Sequence, residues 1–161
     1  MPSILIVCTA NICRSPMAEA LLKQLVAQRP DADEWIVDSA GVWALYGSYP
    51  APLSQFVMQS MGIDISDHQS KPVSRKLLQN FDLILTMEKE QKDILKVEFA
   101  EFTDRIYMLS ELEGVKEDIV DPIGGELVDY QATALELRRI LSADLDGIYL
   151  LTEKLKNKEN N

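Results

Sequence analysis

The sequence predicts an α/β protein, a parallel sheet of four strands with helices on both faces. Two observations carry that reading. Short runs of branched apolar residues alternate along the chain with stretches of helical periodicity. The strand-like runs are apolar throughout rather than alternating, as in Ile4-Leu5-Ile6-Val7, which marks strands buried on both faces. The chain has 161 residues, 47% of them hydrophobic, enough for one substantial core without disulfides or a metal.

The elements follow in order. Residues 3–7 form the first strand. Residues 16–28 have helical spacing, with Met17, Leu21, Leu22 and Leu25 on one side, and Ser15-Pro16 read as N-cap and first-turn proline. Residues 35–39 make the second strand, and 51–61 a helix closed by Gly62. A short helix at 74–79, a third strand at 82–86, a helix at 89–97 and a fourth strand at 105–108 come next. Residues 127–156 are helical, with a candidate break at 142–144, and 157–161 read as a polar, frayed tail after a single domain over 1–156.

Composition narrows the function. A net charge of −10 weighs against nucleic-acid binding, which depends on Lys and Arg neutralising phosphates. No apolar run approaches the roughly 20 residues that span a bilayer. The run at 4–7 is too short for a signal-peptide core and lacks a basic flank, so the expected location is cytoplasmic and no membrane partner is expected. Two cysteines and one histidine do not make a structural zinc signature, and a reducing compartment weighs against a disulfide between Cys8 and Cys13.

The unusual segment is Cys8-Thr9-Ala10-Asn11-Ile12-Cys13-Arg14-Ser15-Pro16, between the first strand and the first helix. Ligands in parallel sheets bind beyond the carboxyl ends of the strands. A tight loop there turns successive N–H groups inward, and the helix start adds more, so the loop can cradle an anion. Arg14 brings a planar fork for two phosphate oxygens. Cys8 sits where its sulfur faces that anion, in surroundings that suit a thiolate nucleophile, and Ser15 can donate a hydroxyl to it. Taken singly, a buried Cys and a Ser-Pro pair are ordinary packing and capping residues. Their joint spacing points to nucleophilic phosphoryl transfer.

The stretch from Cys8 to Glu19 resembles the signature of the low-molecular-weight protein tyrosine phosphatases. Further segments resemble the family along nearly the whole chain: Ser39-Ala40-Gly41, then Gly62-Ile63-Asp64 with His68, then 82–88, then Asp121-Pro122-Ile123-Gly124-Gly125. The resemblance implies a flavodoxin-like, three-layer fold with strand order 2-1-3-4, and no metal or organic cofactor. It implies Cys8 as nucleophile, Arg14 as phosphoryl holder and Asp121 as general acid. Thr9 to Ser15 form the phosphate loop. Asn11, Ser15, Ser39 and His68 brace it, and Ile12, Leu45 and Ile123 wall the substrate, with Trp43, Tyr46 and Tyr49 as further aryl contacts. Cys13 is either a redox partner of Cys8 or a small apolar packing residue. The expected partners are phosphotyrosine proteins or small aryl phosphates, with inorganic phosphate as product.

The chain departs from the family pattern at three places. Ala10 stands where Gly is usual, Ile123 and Gly124 stand where aromatics usually follow Asp-Pro, and Glu88 replaces an Asp found in some members. Three rivals share features of the pattern. An arsenate reductase on this fold needs further downstream cysteines, and none follows Cys13. A protein arginine phosphatase places Thr at the position of Ile12, whereas an isoleucine suits an aryl slot. A phosphate-binding module without catalysis has no need of Cys8, Arg14 and Asp121 together.

Overall fold

The computed structural model describes residues 1–159. Its four strands are β1 (Ser3–Cys8), β2 (Ile36–Gly41), β3 (Leu83–Thr86) and β4 (Ile106–Met108), all parallel, in the order β2-β1-β3-β4. Six α-helices accompany them: α1 (Arg14–Val26), α2 (Pro52–Ser60), α3 (Arg75–Leu78), α4 (Lys89–Glu98), α5 (Leu127–Ala143) and α6 (Leu145–Glu159).

The apolar run in β1 explains its central place. Side chains alternate across a strand, so Ile4 and Ile6 enter one core while Leu5 and Val7 enter the other. The first core packs Met17, Leu21 and Leu22 of α1 against Leu137 and Leu141 of α5. The second joins Leu78 of α3 and Leu95 of α4 to Ile84 and Ile106. Every β1 residue is buried, and each Leu or Ile so removed from water contributes roughly 1.5–3 kcal/mol.

Register places the site. Val7 pairs with Ala40 on one side and Thr86 on the other, and Cys8 pairs with Gly41. The connections leave β1 for β2 on one side and reach β3 on the other. The crevice beyond Cys8 is therefore the switch point where such sheets hold ligands.

Two features differ from the sequence reading, the cap of α1 and the length of the last helix, and the break expected at 142–144 is present. Ser15 does not cap α1: the helix begins at Arg14, its N-cap is Cys13, and no side chain caps it. The Ser15 hydroxyl is engaged elsewhere, as described below, and Pro16 falls inside the first turn, where its missing N–H costs nothing. The long C-terminal stretch does break, at Asp144 (φ −154°, ψ 76°), whose Oδ1 accepts from Gly147 N at 2.8 Å and starts α6. Helix α6 then continues to Glu159, three residues into the stretch read as a tail, with Lys156 and Lys158 in its last turn, where cations suit the helix dipole. Residues 160–161 lie outside the described residues. Short 3-10 turns at Ala32–Glu34, Ala100–Arg105 and Leu109–Glu113 complete the connections. Among the described residues no helix is long and apolar enough to cross a membrane.

Candidate active site

The loop between β1 and α1 is built on Asn11. Among the described residues it is the sole non-glycine with a positive φ, 57°, a conformation asparagine tolerates better than most residues. Its buried amide is fully used: Nδ2 donates to Ser15 Oγ at 2.8 Å and to Ser39 Oγ at 2.9 Å, and Oδ1 accepts from Lys71 N at 3.1 Å. The loop carbonyls point outward. Val42 N donates to Cys8 O, Trp43 N to Thr9 O and Ala51 N to Ile12 O, at 2.8–3.0 Å. His68 Nε2 lies 3.0 Å from Asn11 O. No protein acceptor among the described residues meets the N–H groups of Ala10, Asn11 and Ile12. Carbonyls held outside and N–H groups left free within are what an anion cradle requires.

Gly41 lets β2 come this close. A Cβ there would stand 2.5 Å from Thr9 O and 3.0 Å from Asn11 N, both backbone atoms. Ala10 fits the loop with its Cβ because the left-handed turn is made one residue later, at Asn11.

Cys8 Sγ lies 2.9 Å from Ser15 Oγ. That hydroxyl already accepts from Asn11, so its proton is free for the sulfur. Arg14 is 1% exposed. Its Nη1 is anchored by Glu88 Oε1 at 2.6 Å and Ile119 O at 2.7 Å. The other edge of the guanidinium is loosely held: Nη2 meets Asp121 Oδ2 at 3.2 Å and Thr9 Oγ1 at 3.5 Å. Nε is buried with no partner. Leaving such a donor unmade costs roughly 1–3 kcal/mol, and a tetrahedral anion in the cradle would satisfy Nε and Nη2 together.

Asp121 therefore meets the β1–α1 loop region through Arg14, and its other oxygen accepts from Ile123 N at 3.1 Å. A cavity of about 420 Å³ opens beside it, lined by Val120, Pro122, Ile123 and, from α5, Asp129 and Thr133. The wall residues are less gathered. Ile12 is partly buried against the larger core. Ile123 is 54% and Leu45 76% exposed, and Trp43, Tyr46 and Tyr49 are exposed with them.

The bracing extends behind the loop. Ser39 Oγ donates to Glu19 Oε2 at 2.5 Å, and His68 Nδ1 lies 3.7 Å from the same oxygen. Cys13 is buried, its Sγ 3.7 Å from Tyr130 OH. Burial pushes the Cys13 thiol up, and burial with the Cys13 contact pushes Tyr130 up to about 12.

Glu88, Gln91 and Glu19 escaped the sequence reading as site residues. Glu88 and Gln91 form a capping box at the start of α4, so a sequence presents them as a helix start. Glu19 looks like a helix-surface residue paired with Lys23, which it also is. The one available signal was the Asp-to-Glu departure at position 88.

A family model described as low molecular weight phosphotyrosine protein phosphatase matches residues 3–159. The chain belongs to this family of hydrolases. It is 41% identical over 136 residues to a probable low molecular weight protein-tyrosine-phosphatase, EpsP, of Ralstonia nicotianae, covering 84% of this chain and 87% of the relative. It is 36% identical over 139 residues to a protein-arginine-phosphatase of Bacillus subtilis, covering 86% of this chain and 91% of that one. Among solved structures it is similar to the YwlE arginine phosphatase in a mutant whose active-site cysteine is replaced by a phosphorylated serine. That match has a TM-score of 0.80 and 32% identity, covering 96% of this chain and 95% of the other.

Proposed function

We propose that this chain is a cytoplasmic phosphatase that hydrolyses phosphotyrosine, on proteins or as small aryl phosphates, through a phosphocysteine on Cys8. The observation that carries this reading is the half-satisfied guanidinium of Arg14: one nitrogen clamped, one loosely held, one buried without a partner, beside a loop of free N–H groups. The phosphorylated serine in the related arginine phosphatase supports a covalent step at the matching cysteine.

The reaction runs in two displacements. Arg14 Nε and Nη2 take two phosphoryl oxygens, and the anion replaces Asp121 at Nη2. Cys8 sulfur attacks phosphorus, the P–S bond forms as the P–O bond to the tyrosyl oxygen breaks, and Asp121 gives that oxygen its proton. A water then attacks phosphorus from the side the tyrosyl oxygen left, opposite the sulfur, and Asp121 takes its proton. The P–S bond breaks, the Ser15 hydroxyl stabilises the departing thiolate, and inorganic phosphate leaves. The loop N–H groups and Arg14 act most strongly on the charge that develops on the equatorial oxygens. Asn11, Ser39 and His68 keep the loop in shape, and Cys13, close to the nucleophile, traps it as a disulfide under peroxide.

A second reading, phosphoarginine hydrolysis, is favoured by the Bacillus subtilis relative and by the lack of an aromatic after Asp121-Pro122. Ile12 favours tyrosine, because a branched aliphatic wall contacts a flat ring and gives a guanidinium no partner. The test is kcat/KM for phosphotyrosine, phosphoarginine and phosphoserine peptides on the wild type and on Ile12→Thr. Phosphotyrosine should lead in the wild type, and Ile12→Thr should shift the ratio toward phosphoarginine by about tenfold, the worth of one specificity contact. A wild type that prefers phosphoarginine would refute the substrate class.

A further inference from the structure

Gln91 stands on the first turn of α4, 2% exposed. Its Oε1 accepts from two backbone groups, Met87 N at 2.9 Å and Glu88 N at 3.1 Å. Those groups only donate, so they fix which end of the amide is oxygen, and Nε2 must point the other way. It donates to Thr9 Oγ1 at 3.0 Å. Arg14 Nη2 approaches the same oxygen at 3.5 Å. Both neighbours of the Thr9 hydroxyl are therefore donors, and the hydroxyl proton is left to give away. Thr9 follows the nucleophile directly and stands at the loosely held corner of the guanidinium. The acceptor that belongs there is an oxygen of an anion in the cradle.

We propose that Gln91 is a positioning residue for phosphoryl transfer, working through the Thr9 hydroxyl, which donates a hydrogen bond to the bound phosphoryl group. The proposal rests on the phosphatase reading above. A helix-capping role uses only Oε1. The Nε2 bond ties the start of α4 to the catalytic loop and sets the polarity of the hydroxyl beside Arg14.

Gln91→Glu separates the two roles. It keeps an oxygen for the Met87 and Glu88 N–H groups but turns the atom facing Thr9 into an acceptor, which draws the hydroxyl proton away from the cradle. The added charge also repels phosphate, and that effect persists in a Thr9→Val background while the polarity effect does not. Inorganic phosphate affinity by calorimetry and kcat/KM on a phosphotyrosine peptide are measured for the wild type, Gln91→Glu, Thr9→Val, Thr9→Ser and the Gln91→Glu/Thr9→Val double variant. Thr9→Val should weaken both about tenfold, as loss of one hydrogen bond to a charged group does, and Thr9→Ser, which restores the hydroxyl, should recover most of that loss. The Gln91→Glu loss should be about tenfold larger with Thr9 present than with Val in its place. Equal losses in the two backgrounds, or wild-type phosphate affinity in Thr9→Val, would overturn the proposal. A wild type that binds phosphate without turning over phosphotyrosine would refute the function instead, and the phosphate cycle would still decide the role of Gln91.

Discussion

Arg14 is a charged side chain buried almost completely, and its surroundings explain how that is tolerated. Glu88 and the Ile119 carbonyl hold one nitrogen tightly, Asp121 meets the second at 3.2 Å, and Nε has no partner. Arg14→Lys keeps the charge and loses the fork, so it should lower kcat/KM on an aryl phosphate at least about a hundredfold, two charge-assisted bonds being lost. Steady-state kinetics checks this, and near-normal values would make the loop merely structural. At this scale the sequence was readable wherever chemistry needs one residue type. Cys8, Arg14 and Asn11 each supply something that few substitutes can. Of the two roles a serine before a proline suggests for Ser15, the hydroxyl beside the Cys8 sulfur is present and the helix cap is not, because that hydroxyl is used in bridging Asn11 and Cys8. Glu88 and Gln91 were hidden for the converse reason: they do cap α4, and the same side chains reach Arg14 and Thr9, Gln91 through its other amide atom.

The end of β2 and the start of α5 each constrain the loop. Gly41→Ala would drive a Cβ into Thr9 O and Asn11 N. Because both are backbone atoms, the loop must move. The expected result is loss of phosphate affinity by about tenfold or more, with destabilisation of about 1–3 kcal/mol, read by calorimetry and thermal melting. Tyr130, on the first turn of α5, gives a pH prediction. Its folded value is raised to about 12 by burial and by the Cys13 contact, against about 10 for an unfolded tyrosine. The unfolded chain therefore ionises first. The stability this contributes is complete below about pH 10 and is lost as pH rises toward 12, by roughly 2–3 kcal/mol. Urea unfolding between pH 9 and about 12 should show that slope, and Tyr130→Phe should reduce it to the part that the raised Cys13 thiol supplies. Element identities were legible because apolar runs and helical spacing carry them. The 3-10 turns were not, since three to six residues without periodicity leave no such pattern.

For the whole molecule, alternation of strand and helix is enough to give a parallel sheet, but not the order of its strands. Order depends on which edges pair, and nothing within β1 or β3 alone encodes that. Here it came from the likeness of separated segments to one family, and the sheet has that order. The acidic charge of the chain made the loop stand out, since an anion must be held locally against a net charge of −10. The central claim is a covalent phosphoryl transfer to Cys8. Its most direct test is rapid acid quench of the Asp121→Asn variant mixed with a phosphotyrosine peptide, followed by mass spectrometry of the peptide that holds Cys8. The account predicts a phosphoryl group on Cys8 within the first turnover, appearing at the rate of tyrosine release. Tyrosine release with no phosphoryl group on the protein, or with the group on a residue other than Cys8, would contradict it.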